Sequence, residues 1–332
     1  MKNAKIVGLG KYLPDRVVTN ADLEKIMDTT DAWIQERTGI KERRFADPGR
    51  ETVSWMGAQA ALQALKNAGM TAQDVDFIIL ATLSPDYTFP GSGVLMQTHL
   101  DIPGIGALDV RNQCSGFVYS LSVADQFIKT GMYKNILVVG SEVHSTGLNM
   151  TTEGRDVAVI FGDGAGAAVL TATDDSKKGI LASNMHADGK HAKELWLEDP
   201  GSVQPVRMSK EMIDAGTIYP YMNGRYVFKH AVTKFPTAIY EVLEASGYTK
   251  DDVDLVVPHQ ANKRITEAIQ QRLELPTEKV FSNIEKYGNT TAGSIPIAMT
   301  EAWEQGLIKD GSLVCTAAFG SGFTWGANLI RF

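Results

Sequence analysis

The feature that most constrains this chain is an internal echo. LKNAGMTAQDVDFIIL (Leu65–Leu80) matches LEASGYTKDDVDLVVP (Leu243–Pro258) without a gap: both carry a leucine, a glycine four residues on, a threonine, an Asp-Val-Asp triplet and an apolar run. Further along, FGDGAGAAVL (Phe161–Leu170) resembles FGSGFTWGANLI (Phe319–Ile330) once two residues are allowed for. The pairs recur in the same order at similar though unequal distances. A helix, loop and strand used twice, each followed by a glycine-rich turn into a strand, points to a duplicated domain about a pseudo-twofold axis. The expected halves are 1–172 and 173–332, packed together so that a site can form from both. The competing explanation is that helix–Gly–strand units simply look alike, and the repeat by itself leaves it standing.

The rest of the chain has the same texture. Short apolar runs (Ile6–Gly8, Phe77–Ala81, Ala107–Val110, Ile136–Gly140, Ala167–Leu170, Leu255–Val257, Leu313–Thr316 and Ala327–Phe332) alternate with amphipathic stretches. Thr52–Ala68 is rich in alanine and leucine and has Gly69 as its stop; Gly116–Thr130 is apolar at helical spacing; Thr233–Ala245 stops near Gly247. This alternation predicts an α/β fold with largely buried strands. With 332 residues, 44% of them hydrophobic, there is material for a sizeable core, and no Pro/Gly/Ser-rich linker divides it.

Charge and cysteine usage exclude several classes. The net charge is −7 with no long block of one sign, which argues against a general nucleic-acid or anionic-membrane binder. Cys114 and Cys315 are the two cysteines, too few for a disulfide framework, so a reducing, cytoplasmic setting is expected. The apolar runs fall far short of the ~18 residues of a membrane span, and the one at the N-terminus is too short for a secretory signal. There is no HExxH, no CxxC and no G-x-S-x-G, and GLGKYLP lacks the third glycine of a dinucleotide fingerprint. No metal site is expected.

Three residues carry the candidate chemistry. Cys114, in DVRNQCSGF, follows a strand and starts a helical stretch, where unpaired N–H groups favour a thiolate and a lowered pKa is expected. A small buried hydrophobe is the other reading of that cysteine. Cys315 lies inside an apolar run and is read as core. His259, in LVVPHQANKRI, sits at a strand end before a helix, where open α/β sheets place their ligands; a structural histidine is the alternative. Carrying the offset from Gly69 to Gly247 over to Cys114 lands in EKYGNTTAGSIPIAM (Glu285–Met299), which should set the helix start bearing Asn289 opposite the one bearing Cys114. Asn289 donates a hydrogen bond without adding charge, and its bland reading is a turn asparagine. A glycine turn near Phe161 or Phe319 is expected to bring a backbone N–H beside the nucleophile.

Together these pieces resemble the beta-ketoacyl-acyl-carrier-protein synthase III family, which initiates type II fatty acid synthesis. The similarity runs nearly end to end: DAWIQERTGI (Asp31–Ile40), the CSGF segment, IFGDGAGAAVL (Ile160–Leu170), PHQAN (Pro258–Asn262), YGNTTAGSIP (Tyr287–Pro296) and FGSGFTWGANLIRF (Phe319–Phe332). The resemblance implies a thiolase-like α/β fold, two duplicated halves in a five-layer αβαβα arrangement, and a homodimer. It implies an acyltransferase in which Cys114 accepts the acyl group, His259 and Asn289 complete a Cys-His-Asn triad, and the amides of Cys114 and Ser321 form the oxyanion hole. Trp33, Arg37 and Arg155 would contact the nucleotide end of CoA, with Phe228 and Asn262 along the pantetheine. Phe89 would face the acyl pocket of the partner subunit. The basic residues Arg225, Lys229, Lys263 and Arg264 would dock an acidic acyl carrier protein. Acyl-CoA and malonyl-acyl carrier protein would be substrates, and no cofactor is implied.

Two departures from the family pattern stand out. Ser321 replaces the middle of three glycines, and the chain between Asn184 and Asn223 looks longer than in compact members, a stretch expected to cover or widen the acyl channel. Other readings are a specialised ketosynthase III-like enzyme of secondary metabolism, one preferring longer acyl-CoA primers, and a non-catalytic acyl-CoA-binding homologue. Head-to-head condensation of long chains would want a carboxylate near Cys114, and no glutamate stands out there in the sequence.

Overall fold

The structure is a computed structural model that describes residues 2–332. Two sheets hold the fold. The first contains β1 (Asn3–Tyr12), β2 (Phe77–Ala81), β3 (Gly106–Val110), β4 (Asn135–Glu142) and β5 (Gly164–Thr173), in the order β1-β5-β4-β2-β3. The second contains β6 (Gly179–Ala187), β7 (Leu255–Pro258), β8 (Leu313–Gly320) and β9 (Thr324–Arg331), in the order β7-β8-β9-β6. Pairing repeats between them: β2 runs parallel to β4 as β7 does to β8, and β4 runs antiparallel to β5 as β8 does to β9.

The helices fall into three layers. Between the sheets lie α4 (Gly116–Lys129) and α7 (Ser294–Glu304); α4 packs on strands of both, and α7 on β1, β5 and β7. Outside the first sheet lie α2 (Val53–Ala68), against β1, β4 and β5, and α3 (Ser92–Leu100). Outside the second lie α5 (Gly224–Ser246), against β6, β8 and β9, and α6 (Lys263–Leu273). A smaller cluster under α1 (Asp31–Thr38) closes one side. This is the expected five-layer αβαβα arrangement, a thiolase-like fold.

Local chemistry explains why the repeated sequences fold alike. Gly69 and Gly247 end their helices at φ 67° and 74°, left-handed geometry that glycine adopts without strain. Thr71 with Asp74 and Thr249 with Asp252 then form the same reciprocal capping box before each strand. The central core, with Phe117, Leu121, Ile295 and Met299 all at most 1% exposed, is apolar enough that truncating one such side chain would cost about 2–5 kcal/mol.

Three expectations need correction. β1 and α5 are longer than read, because the basic first turns of α5 and the glycines of β1 hide their periodicity. Strand β6 is not read from the sequence, because its apolar run Ile180–Ala182 is cut short by Ser183 and Asn184; pairing with β9 defines it. Asn184 therefore belongs to that strand, its amide donating to Ala238 O at 2.8 Å.

Candidate active site

Cys114 lies on a short 3-10 turn, Gln113–Ser115, between β3 and α4, and is 7% exposed. Gln113 takes φ 43°, which turns the chain sharply before the cysteine. Gly320, at the end of β8, faces it: a β-carbon there would lie 2.5 Å from Cys114 Cβ and 2.9 Å from Sγ. Glycine is required because the sulfur occupies the space a side chain would take. Next to it, the N–H groups of Cys114 and Ser321 reach the sulfur, so the glycine turn after Phe319 is the one that approaches the nucleophile.

The lowered thiol pKa expected from the helix start is not found. Burial pushes Cys114 up to about 12, a nearby carboxylate, Glu142, adds to the rise, and the two N–H groups pull the other way. Desolvation of a sulfur sealed between two halves outweighs the pull of those N–H groups. Glu142 also corrects the expectation that no glutamate stands near the cysteine. Cys315 lies in β8 inside the core, as read.

His259 follows β7, and its backbone N–H donates to Ala317 O at 2.8 Å. Its Nδ1 lies 2.6 Å from Ser294 Oγ, which accepts from the Gln260 N–H at 3.4 Å. With that hydroxyl donating to Nδ1, the imidazole carries its proton on Nε2. Nε2 is buried and has no protein partner. Burial, then neighbouring His144, lowers the His259 pKa to about 3, so the ring is neutral.

Asn289 is 6% exposed and pinned at both backbone groups, donating to Ile160 O at 2.9 Å and accepting from Gly162 N at 3.1 Å. Its Oδ1 accepts from the Thr291 N–H at 2.8 Å, which turns Nδ2 away from the loop. The repeat offset, however, places Ala292, not Asn289, at the position equivalent to Cys114. Thr291 Oγ1 in turn lies 2.7 Å from Nε2 of His144, a buried ring outside the sequence reading.

Cys114, His259 and Asn289 share one cavity of about 510 Å³, with Phe319 and Gly320 beside the sulfur and Trp33, Arg37, Arg225, Phe228, Asn262 and Arg264 also in its walls. The guanidinium groups of Arg37 and Arg155 stand 4.5 and 5.3 Å from the Trp33 ring. Arg155 bonds Asp28 O and lies outside the cavity wall. Asn262 lines the cavity but its amide is already used, donating to Arg37 O at 2.8 Å and accepting from Arg264 N at 2.9 Å. Lys229 and Lys263 do not line it.

A second cavity of about 730 Å³ opens from the other side of Cys114, walled by Leu83, Val143, Leu148 and Phe161, with Ser321 at its edge. Ala192, Leu195, Trp196, Leu197 and Pro220 line it too, so part of the 184–223 stretch covers this space. The Ser321 hydroxyl donates to Leu195 O, tying that cover to the turn beside the sulfur. Phe89, 78% exposed, lines neither cavity of its own chain.

Glu142, Ser294, His144 and Gly320 were missed as site residues. The first two and Gly320 carried one usable signal: each lies one repeat offset from a residue of the other half, Gly320 from Glu142 and Ser294 from Gly116.

Comparison with known proteins finds matches along nearly the whole chain. Residues 108–189 match the sequence model of the family described as 3-Oxoacyl-[acyl-carrier-protein (ACP)] synthase III, and residues 243–332 match that of its C-terminal part. The beta-ketoacyl-[acyl-carrier-protein] synthase III of Caldanaerobacter subterraneus subsp. tengcongensis is 46% identical over 329 residues, covering 99% of this chain and 98% of its own. Its counterpart numbered 1 in Bacillus anthracis is 45% identical over 330 residues, covering 99% of both chains. The crystal structure of 3-oxoacyl-[acyl-carrier-protein] synthase III from Aquifex aeolicus superposes with a TM-score of 0.91 at 46% identity, covering 99% of this chain and 100% of that one.

Proposed function

The chain belongs to the 3-oxoacyl-[acyl-carrier-protein] synthase III family, and from that premise we propose how its own residues carry the reaction. The enzyme is an acyltransferase that condenses an acyl-CoA primer with malonyl-acyl carrier protein, with loss of CO₂, to give 3-oxoacyl-acyl carrier protein and initiate fatty acid synthesis. The observation that carries the residue roles is the convergence of Cys114, His259 and Asn289 on one cavity.

In the first half-reaction the Cys114 sulfur attacks the acyl-CoA carbonyl. The new carbon–sulfur bond forms, the bond to the CoA sulfur breaks, and the thiol proton leaves with CoA. The N–H groups of Cys114 and Ser321 take the oxyanion. The acyl chain extends into the second cavity. In the second half-reaction malonyl thioester loses CO₂, and the electrons of the broken carbon–carbon bond move onto the thioester oxygen. His259 Nε2–H and Asn289 Nδ2–H hold that enolate as neutral donors. Its carbon attacks the acyl-Cys114 carbonyl, the new carbon–carbon bond forms, and Cys114 leaves and regains a proton. Decarboxylation itself supplies the carbanion, so a histidine held neutral suits the step. One proton from solvent, taken up by the released Cys114, completes the balance, and no further cofactor enters.

Trp33, Arg37 and Arg155 suit the adenine and phosphates of CoA, since guanidinium groups around an indole offer both stacking and charge. Phe228 and Asn262 flank the pantetheine path. On a chain of net charge −7, the local group Arg225, Lys229, Lys263 and Arg264 is the dock for an acidic carrier protein. The chain acts as a homodimer. Supporting this, β3 is an open sheet edge with Leu108 37% exposed, and Tyr87 and Phe89 near it are 62% and 78% exposed. The corresponding edge of the second sheet is capped where Val280 bridges Val256. No helix among the described residues is long and apolar enough to cross a membrane; two free cysteines fit a reducing cytoplasm.

The test uses labelled acyl-CoA, then malonyl-carrier protein, across primers from acetyl to dodecanoyl. Wild type should take a covalent label and release a 3-oxoacyl product, and Cys114→Ser should take no label. A wild type that never labels would overturn the reading in favour of an acyl-CoA binder.

A further inference from the structure

Glu142 is fully buried at the end of β4, and its partners among the described residues are uncharged donors from Thr82, Leu83, Ser84 and Ala292. Its charge is met by hydrogen-bond donors alone. Oε2 accepts from Thr82 Oγ1 at 3.0 Å, Leu83 N at 3.1 Å, Ser84 N at 3.2 Å and Ser84 Oγ at 2.5 Å. Oε1 accepts from Leu83 N at 3.2 Å and, across the boundary between halves, from Ala292 N at 3.4 Å. Leu83 and Ser84 wall the second cavity. Ala292 directly follows Thr291, whose amide fixes Asn289.

The repeat explains why a side chain fits here. Glu142 and Gly320 are equivalent positions at the ends of β4 and β8. Gly320 must be bare because Cys114 fills the space beside it. Ala292, the equivalent of Cys114, has no thiol, and the carboxylate of Glu142 reaches its amide instead.

Resting on the functional reading above, we propose that Glu142 is a positioning residue for the condensation step: its carboxylate clips the turn carrying Asn289 to the loop that walls the acyl cavity. Acyl transfer, which uses Cys114 and the turn after Phe319, does not depend on this clip. Condensation does, because the enolate must meet the Asn289 amide in register. The same carboxylate adds to the rise that burial gives the Cys114 pKa. Around it the loop Thr82–Ser84 and the α7 start bring no titratable side chain, while Cys114 on the α4 side and His144, two residues further along, are the titratable neighbours.

The experiment measures both half-reactions on Glu142→Gln and Glu142→Asp. An amide at this position sets its own N–H groups against the fixed N–H groups of Leu83, Ser84 or Ala292, which cannot reverse. Glu142→Gln should acylate Cys114 within about threefold of wild type, which also shows that it folds, while condensation falls about 100-fold, the scale of a 1 Å misplacement. Glu142→Asp should recover part of that loss. Alkylation of Cys114 by iodoacetamide at pH 8 should speed up in Glu142→Gln and stay near wild type in Glu142→Asp, a signature that a purely structural role would not give. An unchanged ratio of condensation to acyl transfer in a wild-type-like background would overturn the proposal while leaving the functional reading intact. A wild type that neither labels nor condenses would overturn both.

Discussion

Cys114 and Ala292 are one position used twice. Each begins the second residue of a 3-10 turn ahead of a central helix, and the residue before each, Gln113 or Thr291, takes a positive φ, 43° and 46°. The neighbours differ in the same ordered way: His259 bonded to Ser294 on one side corresponds to Ala81 packed beside Gly116 on the other. Duplication built two similar pockets of backbone, and the side chains give each half a different share of one site.

The buried thiol sets a pH dependence. With Cys114 pushed up to about 12, the thiolate fraction should rise about tenfold per pH unit throughout the neutral and mildly alkaline range. Alkylation rates measured between pH 8 and 10 should therefore climb with a slope near one. A plateau below pH 8.5 would show that the helix start outweighs burial after all.

Asn289→Ala should separate the half-reactions. Only the second develops enolate charge, so condensation should fall by roughly 100- to 1,000-fold, as for loss of one oxyanion donor, while Cys114 still takes its acyl label. Equal losses in both steps would contradict the role given to the amide.

Ser294→Ala removes the hydroxyl bonded to His259 Nδ1. Condensation should drop about 10- to 100-fold, the scale seen when a partner orienting a functional histidine is lost. The Nδ1 resonance of His259 in ¹⁵N spectra should shift with it; an unmoved resonance would mean the hydroxyl does not set the proton.

Gly320→Ala and Ser321→Gly test the turn beside the sulfur from two directions. The alanine β-carbon would press on Cys114, so acylation should be nearly lost and stability reduced by about 1–3 kcal/mol. Ser321→Gly keeps the backbone N–H and gives up only the bond to Leu195. Its turnover should stay within about threefold of wild type.

Stability should fall on the acid side. His144 and His259 are each held neutral, at about 3 against an ordinary 6.5. The unfolded chain gains those protons below 6.5 and the native one does not, so stability is complete above 6.5 and is lost as pH drops toward 3. Glu142, raised by burial from 4.5 to about 7, works oppositely, favouring the native state at low pH and losing that contribution as pH rises through 7. Urea midpoints should peak between pH 6 and 7. His259→Asn should flatten the acid limb by about 1.4 kcal/mol per pH unit between 4 and 6, and an unchanged limb would show the ring already titrates in the native state.

Much of this was legible in the chain itself. The ungapped match of Leu65–Leu80 to Leu243–Pro258 announced the duplication, and the glycine stops, capping threonines and strand-end positions of Cys114 and His259 followed from periodicity and turn chemistry, which act over a few residues. Packing decided the rest. Whether a thiol at a helix start is acidic depends on how much water the other half excludes, and that exclusion reversed the expected direction at Cys114. Ser294 meets His259, Gly320 meets Cys114 and Glu142 meets Ala292 across separations of 35 to 206 residues, where no local pattern records the contact. Strand β6 likewise exists because β9 offers it an edge. Local sequence set the elements and repeated them; burial and long-range contact, which exist only once the two halves close on each other, turned the repeat into an asymmetric site.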